Sequence, residues 1–220
     1  MSRPKLLDLF SCAGGAAMGY YRAGFEVVGV DINGQDRYPF EHHVADAIEF
    51  ARAHGHEFDA IHASPPCQKF TAYRRRGGGV GDNYLNLIPQ TREVLQELGR
   101  PYVIENVEMA RSELIEPVCY CGSSFALDVR RHRLFESNIP LVPPPCDHAW
   151  QTPRFPPATN RTNLRRTVEV GVWRIPLETQ QKAMGIDWMQ LRELSEAIPP
   201  AYTEHIGLQI AQHIREAVAA

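Results

Sequence analysis

The first half of the chain is built from short apolar runs that stop abruptly at chemically active residues. This rhythm constrains the fold more than any other feature. Leu6 to Phe10 ends in Ser11-Cys12-Ala13-Gly14-Gly15, followed by a helix-like stretch to about Ala23. Glu26 to Val30 ends at Asp31, Asp59 to Ala63 ends at a proline pair, and Pro101 to Ile104 ends at Glu105. Before the last of these, Tyr84 to Leu98 carries apolar residues at helical spacing (Leu85, Ile88, Val94, Leu95, Leu98). Strands alternating with helices predict an α/β fold, a parallel sheet with helices on both faces. Ligands in such folds bind beyond the carboxyl ends of the strands, and Asp31, Cys67 and Glu105 all fall there.

Ala63-Ser64-Pro65-Pro66-Cys67-Gln68 carries the most chemical information. Proline fixes φ and biases its predecessor towards extended geometry, so the Cys67 sulfur starts from a defined place on a stiff loop. Glu105-Asn106-Val107 downstream supplies a carboxyl and an amide that folding can bring beside it. Upstream, Asp8-Leu9-Phe10-Ser11-Cys12-Ala13-Gly14-Gly15 follows the strand–turn–helix logic of nucleotide-type cofactor sites. There glycine lets the backbone approach the ligand, and an acidic residue after the next strand, here Asp31, binds ribose hydroxyls. A purely structural turn is the plain alternative. Asp46 is a candidate adenine contact at the next loop, and a helix N-cap is its ordinary reading.

Bulk properties narrow the class. The 220 residues are 44% hydrophobic and 22% charged, as in an ordinary globular protein with one core and at most a small added lobe. No run approaches a membrane span and no signal-peptide pattern opens the chain, so a cytoplasmic setting is expected. Five cysteines argue against a disulfide framework. The net charge of −3 attracts nucleic acid only locally, through clusters at Lys69 with Arg74 to Arg76, at Arg130 to Arg133, and at Arg154, Arg161, Arg165 and Arg166. Solvated surface charge is the alternative for each cluster.

Taken in order, these pieces resemble the DNA cytosine-C5 methyltransferase family. The resemblance is carried by DLFSCAGG at 8–15, GVDI at 29–32, SPPCQ at 64–68, ENV at 105–107, Arg131-His132-Arg133 as an R-x-R pair, and a closing stretch from Leu194 to Pro200. It spans almost the whole chain except residues 138–175, and its compactness is similar to the small methylases of bacteriophages. The resemblance implies a Rossmann-like, S-adenosylmethionine-dependent sheet with a small recognition lobe. It also implies a catalytic domain over 1–137, a target-recognition lobe over 138–175, and a segment over 176–220 that rejoins the catalytic domain.

It further implies roles for single residues. Cys67 adds to cytosine C6, Glu105 stabilises the ring at N3, Arg133 holds O2, and Arg131 assists through phosphate or Glu105. Asn106 fixes the active-site loop. For the cofactor, Phe10 stacks on the adenine with Leu87 on its other side, Asp31 binds the ribose, and Asp46 binds the adenine amino group. Gly14 and Gly15 admit the methionine part. The basic loop of Lys69, Tyr73 and Arg74 to Arg76 before Gly77-Gly78-Gly79 would close over DNA; a plain linker is its alternative. Cytosine-containing DNA is the implied partner. The same chemistry on RNA, or a catalytically silent nucleic-acid binder, are the competing readings.

Some positions depart from the family pattern. Cys12 stands where glycine is usual, Val129 where glutamine is usual, and Glu196 where asparagine is usual. Residues 138–175 are short for a recognition domain, which implies a short site, loose specificity or help from a second chain. Cys119-x-Cys121 and Cys146-x-His148 bracket this region and offer four zinc donors; buried thiols beside a strand are the alternative, and no metal ligand is assigned on spacing alone.

Overall fold

The computed structural model describes residues 3–67, 85–152 and 165–219. Seven strands form its main sheet: β1 (Lys5–Leu9), β2 (Glu26–Asp31), β3 (Glu41–Val44), β4 (Ala60–Ala63), β5 (Tyr102–Asn106), β6 (Val118–Tyr120) and β7 (Arg133–Ser137). They lie in the order β3-β2-β1-β4-β5-β7-β6. Strands β1 to β5 pair in parallel; the apolar runs predict β1, β2, β4 and β5, while β3 adds an unforeseen edge strand. The expected all-parallel sheet is nevertheless corrected: β7 inserts antiparallel between β5 and β6. The reversal places Arg133 at the start of β7, beside the carboxyl end of β5. A separate pair, β8 (Gln151–Thr152) and β9 (Arg165–Arg166), lies outside this sheet.

Strand residues alternate between two cores because side chains alternate across a sheet. Leu7, Leu9, Ile61, Ala63 and Ile104 face α2 (Ala47–His54) and α3 (Ile88–Leu98). Leu6, Val27, Ala60 and Val103 face α1 (Gly15–Arg22) and α6 (Pro200–Ala219). Thr203 on α6 donates to the Ala16 carbonyl at 2.8 Å, so the last helix is docked on the first. A third cluster, holding Ala13, Val129, Met184, Met189 and Leu194, packs α4 (Leu177–Met184) and α5 (Leu191–Glu196) against the glycine-rich turn. Among the described residues no helix is long and apolar enough to cross a membrane.

One buried ion pair braces the β5–β7 side. Arg92 on α3 grips Glu136 on β7 with two hydrogen bonds, at 2.6 and 2.7 Å, and Ile115 donates its N–H to the same carboxylate at 2.8 Å. Glu136 is only 2% exposed. Removing one partner strands a charge away from water, so Arg92→Ala is expected to cost about 3–5 kcal/mol. Chemical denaturation measures it, and a loss below about 1 kcal/mol, the scale of a surface pair, would contradict the bracing role.

Candidate active site

The loop carrying Cys67 starts where β4 leaves the sheet. Ser64 donates its N–H to the Leu9 carbonyl at 3.1 Å, and Pro65 and Pro66 hold the next two residues. The Pro65 carbonyl accepts from Asn106 Nδ2 at 2.9 Å, while Asn106 Oδ1 accepts the Val107 N–H at 3.0 Å. One buried amide thus bolts the loop carrying Cys67 to the strand carrying Glu105. Cys67 is half-buried. Burial, and then the Glu105 carboxylate, push its thiol pKa up, while Arg133 opposes that rise.

Glu105 is buried, with Arg133 Nε 3.1 Å from its Oε1. Burial raises its pKa, and Arg133, a Ser64 hydrogen bond and Arg131 act in the other direction. The net upward shift suits a carboxyl that must hold a proton for a ring nitrogen.

Behind Glu105 runs a chain that the sequence reading missed. Tyr20 Oη lies 2.9 Å from His62 Nδ1, and His62 Nε2 lies 2.9 Å from Ser64 Oγ. Burial pushes the His62 pKa down to about 3, so the ring is neutral and carries a single N–H. With the Ser64 hydroxyl donating to Glu105, its oxygen accepts from Nε2–H, and Nδ1 accepts from Tyr20; this order assigns the tautomer. The available signal was a histidine inside an otherwise apolar strand. Ser64→Ala removes a donor that favours the ionised carboxylate, so the Glu105 pKa is expected to rise further. Titration of the Glu105 carboxyl itself, followed by infrared spectroscopy or isotope-edited NMR, should then move to higher pH. An unmoved titration would detach Ser64 from that carboxyl.

Arg131 behaves differently from Arg133. Its Nε donates to the Ala197 carbonyl at 2.8 Å and its Nη2 to the Ser195 carbonyl at 2.7 Å. The expected phosphate or Glu105 contact therefore does not describe these bonds, which tie the approach to β7 to the C-terminal end of α5. The backbone at Arg131 is left-handed, with φ 38°. Burial, then Arg133, push its pKa down to about 9, leaving the guanidinium charged at neutral pH. A cleft of about 640 Å³ opens beside the pair, lined by Glu108, Val129 to Arg133 and Thr167 to Val170.

Of the expected cofactor residues, Phe10, Gly14, Gly15, Asp31 and Asp46 lie at or just after the carboxyl ends of β1, β2 and β3. Asp31 Oδ2 accepts from the Cys12 N–H at 3.1 Å and Oδ1 from the Asn33 N–H at 3.0 Å. It therefore shapes the turn as well as facing its end. Phe10 and Cys12 both have positive φ, 56° and 44°, so the usual glycine position is filled by a thiol in left-handed backbone. Asp46 Oδ1 caps α2 through the Ile48 and Glu49 N–H groups. Leu87 is half-buried immediately before α3.

The two glycines are also constrained by their protein neighbours. A Cβ at Gly14 would meet Pro39 at 2.8 Å, and one at Gly15 would meet the Ile198 carbonyl at 2.7 Å. Their missing side chains are required by the protein's own packing. Trp188, which the sequence reading also missed, secures the same turn by donating from Nε1 to the Ala13 carbonyl at 2.8 Å.

The donor set still fits S-adenosylmethionine. Ile32 and Val44 are 65% and 64% exposed beside Asp31 and Asp46, giving apolar surface next to carboxylates, as an adenosine group requires. Among the described residues the buried Ser11 Oγ in the turn has no hydrogen-bond partner, which suits a polar ligand atom. Gln68, Lys69, Tyr73, Arg74 to Arg76, Gly77 to Gly79, Tyr84, Arg154 and Arg161 lie outside the described residues.

Residues 4–114, half of the 220-residue chain, match the family described as C-5 cytosine-specific DNA methylase. The chain belongs to this family. It is a DNA (cytosine-5-)-methyltransferase, and the matched span holds both Cys67 and Glu105. The methylase is 25% identical to the Type II methyltransferase M.AquIA of Picosynechococcus, across 97% of each chain. In fold it is similar to a putative DNA modification methyltransferase encoded within an E. coli prophage, with TM-score 0.59 and 14% identity over 97% of this chain and 99% of the other. It is also similar to the Entamoeba histolytica methyltransferase EhMeth, with TM-score 0.60 and 12% identity over 97% and 99%. These two likenesses establish the methyltransferase fold. The α/β class expected from the strand rhythm, and the Rossmann-like sheet implied by the resemblance, are those observed.

Proposed function

We propose that this methylase transfers a methyl group from S-adenosylmethionine to C5 of a flipped cytosine in DNA, through a covalent Cys67 adduct. The observation that carries this reading is the Asn106–Pro65 bond, which holds the nucleophile loop against the Glu105–Arg133 pair.

Cytosine C5 is a weak nucleophile, and its reacting atoms are hidden in a duplex, so the base must leave the stack. Cys67 enters as the thiolate and forms a bond to C6, and the displaced ring electron pair moves towards N3 and O2. Glu105 gives its proton to N3 and becomes a carboxylate, while Arg133 remains beside it to hold O2. The addition leaves C5 nucleophilic, and S-adenosylmethionine, when bound, supplies the electrophilic methyl group that C5 takes up. A solvent water or hydroxide takes the C5 proton as the C6–S bond breaks and the Cys67 thiolate leaves, and N3 returns its proton to Glu105.

Phe10, Asp31, Asp46 and Leu87 would hold the cofactor, with Ile32 and Val44 offering apolar surface. Residues 138–175 would form the target-recognition lobe on the catalytic domain over 1–137, with 176–220 rejoining that domain. Arg131 would act as a positioning residue, because its donors are engaged by Ala197 and Ser195.

Incubation with methyl-labelled S-adenosylmethionine and matched DNA and RNA duplexes tests the substrate. Label on cytosine C5 of the DNA is expected. Label on RNA alone would transfer the same chemistry to RNA, and label on neither would favour a silent binder. Bisulfite sequencing of DNA from expressing cells would give the sequence context.

A further inference from the structure

At the far end of the β6–β7 pair, Cys121, His132, Cys146 and His148 converge, with one ligand atom from each within 4.8 Å of all the others. The sequence spacing offered Cys119 in place of His132. Register explains the correction. Cys119 pairs with Leu134 and Tyr120 with Arg133, so the next facing positions are Cys121 and His132. Residues directly opposite on antiparallel strands hold their Cβ atoms about 4.5–5.5 Å apart. Cys119 lies two places further along, and its thiol contacts the Tyr120 carbonyl at 3.8 Å.

Three of the six ligand–ligand distances are close to those of a coordination sphere, and all six lie within 4.8 Å. Cys121 Sγ and Cys146 Sγ each lie 3.2 Å from His148 Nε2, and His132 Nε2 lies 3.4 Å from Cys146 Sγ. Tetrahedral zinc, with bonds of about 2.3 Å to sulfur and about 2.0–2.1 Å to nitrogen, sets ligand–ligand edges of about 3.3–3.8 Å. Two thiolates and two neutral imidazoles also balance the charge of a divalent ion. The surroundings support the same assignment. The other nitrogen of His132, Nδ1, faces the Glu108 carboxylate at 3.4 Å, the arrangement that orients metal-bound histidines. Ser123 Oγ donates to Cys121 Sγ at 3.1 Å.

We propose that Cys121, His132, Cys146 and His148 bind a structural zinc ion. The four donors close the sphere, leaving no position for substrate, so the ion is a clamp rather than a catalyst. It would join the proline-rich segment ending in Cys146 and His148 to the strand end that carries Arg131 and Arg133. His132 stands between those arginines, and Glu108 lies three residues after Glu105. The clamp would therefore support the Glu105–Arg133 pair from behind. The metal assignment stands apart from the proposed reaction, since metal content does not depend on turnover.

Elemental analysis of full-length protein expressed with added zinc and then desalted tests it. About one zinc per chain is expected, and Cys119→Ser should retain it. Cobalt added after zinc removal should give the visible bands and thiolate-to-metal charge transfer of a tetrahedral two-sulfur site. Cys121→Ala with Cys146→Ala should abolish both. Because that variant could fail to fold, Glu108→Gln provides a milder test, with metal affinity in a chelator competition falling about 10–100-fold. Wild-type protein that neither holds zinc nor takes up cobalt would overturn the proposal. Retention of metal by the double variant would also overturn it. Loss of metal from Cys119→Ser would restore the ligand set suggested by spacing alone.

Discussion

Replacing Cys67 by alanine is expected to lower methyl transfer by about 10⁴-fold or more while leaving DNA binding nearly intact. The size of the loss follows from the chemistry, because without addition at C6 nothing makes C5 nucleophilic enough to react. The fold should tolerate the change. Cys67 is half-buried in a loop held by Pro65, Pro66 and the Asn106 amide, and none of these contacts involves its sulfur. Single-turnover methylation with the denaturation midpoint alongside separates lost chemistry from lost structure. Retention of more than about a hundredth of the activity would remove Cys67 from the nucleophile's role.

Glu105→Gln carries the second largest expected effect, a loss of about 10²–10⁴-fold in methyl transfer. Glutamine keeps the shape and an N–H donor for N3, but it cannot deliver a proton. Burial raises the Glu105 pKa, so in the wild type the proton-bearing form persists to higher pH than for an ordinary carboxylic acid and is lost as pH rises through that pKa. Thiolate formation at Cys67 works in the opposite direction, being favoured as pH rises towards a pKa that is itself raised. The wild-type profile should therefore be a bell, and Glu105→Gln should lose the limb that reports the carboxyl. An unchanged profile would mean that another group protonates the ring. Part of the loss would come from Arg133, whose half-buried guanidinium loses its carboxylate partner at 3.1 Å. The added variant Arg133→Lys, combined with Glu105→Gln in a double-mutant cycle, would apportion that share.

The parallel half of the sheet was legible because its strands are buried on both faces and read as apolar runs ending at Asp31, the proline pair and Glu105. β3 was not, since Glu41-His42-His43-Val44 is an edge strand whose polar side chains show no apolar pattern. β6 and β7 were obscured in another way. Their antiparallel pairing depends on contacts with β5 that no local pattern announces, and β7 opens on an arginine. The same register decides the metal cluster: C-x-C spacing pairs the two thiols, whereas facing positions pair Cys121 with His132. In the active site, Cys67, Glu105 and Arg133 could be named from motifs. Tyr20, His62 and Ser64 could not, because their line of hydrogen bonds runs across three elements that only the fold juxtaposes.

The most direct measurement is denaturing electrophoresis of the methylase after incubation with DNA containing 5-fluorocytosine and S-adenosylmethionine. Fluorine at C5 blocks the final elimination, so a protein–DNA species that survives denaturation, needs the cofactor and disappears in Cys67→Ala is expected. No such species across varied DNA sequences, or one that persists without the Cys67 sulfur, would contradict covalent catalysis by this residue.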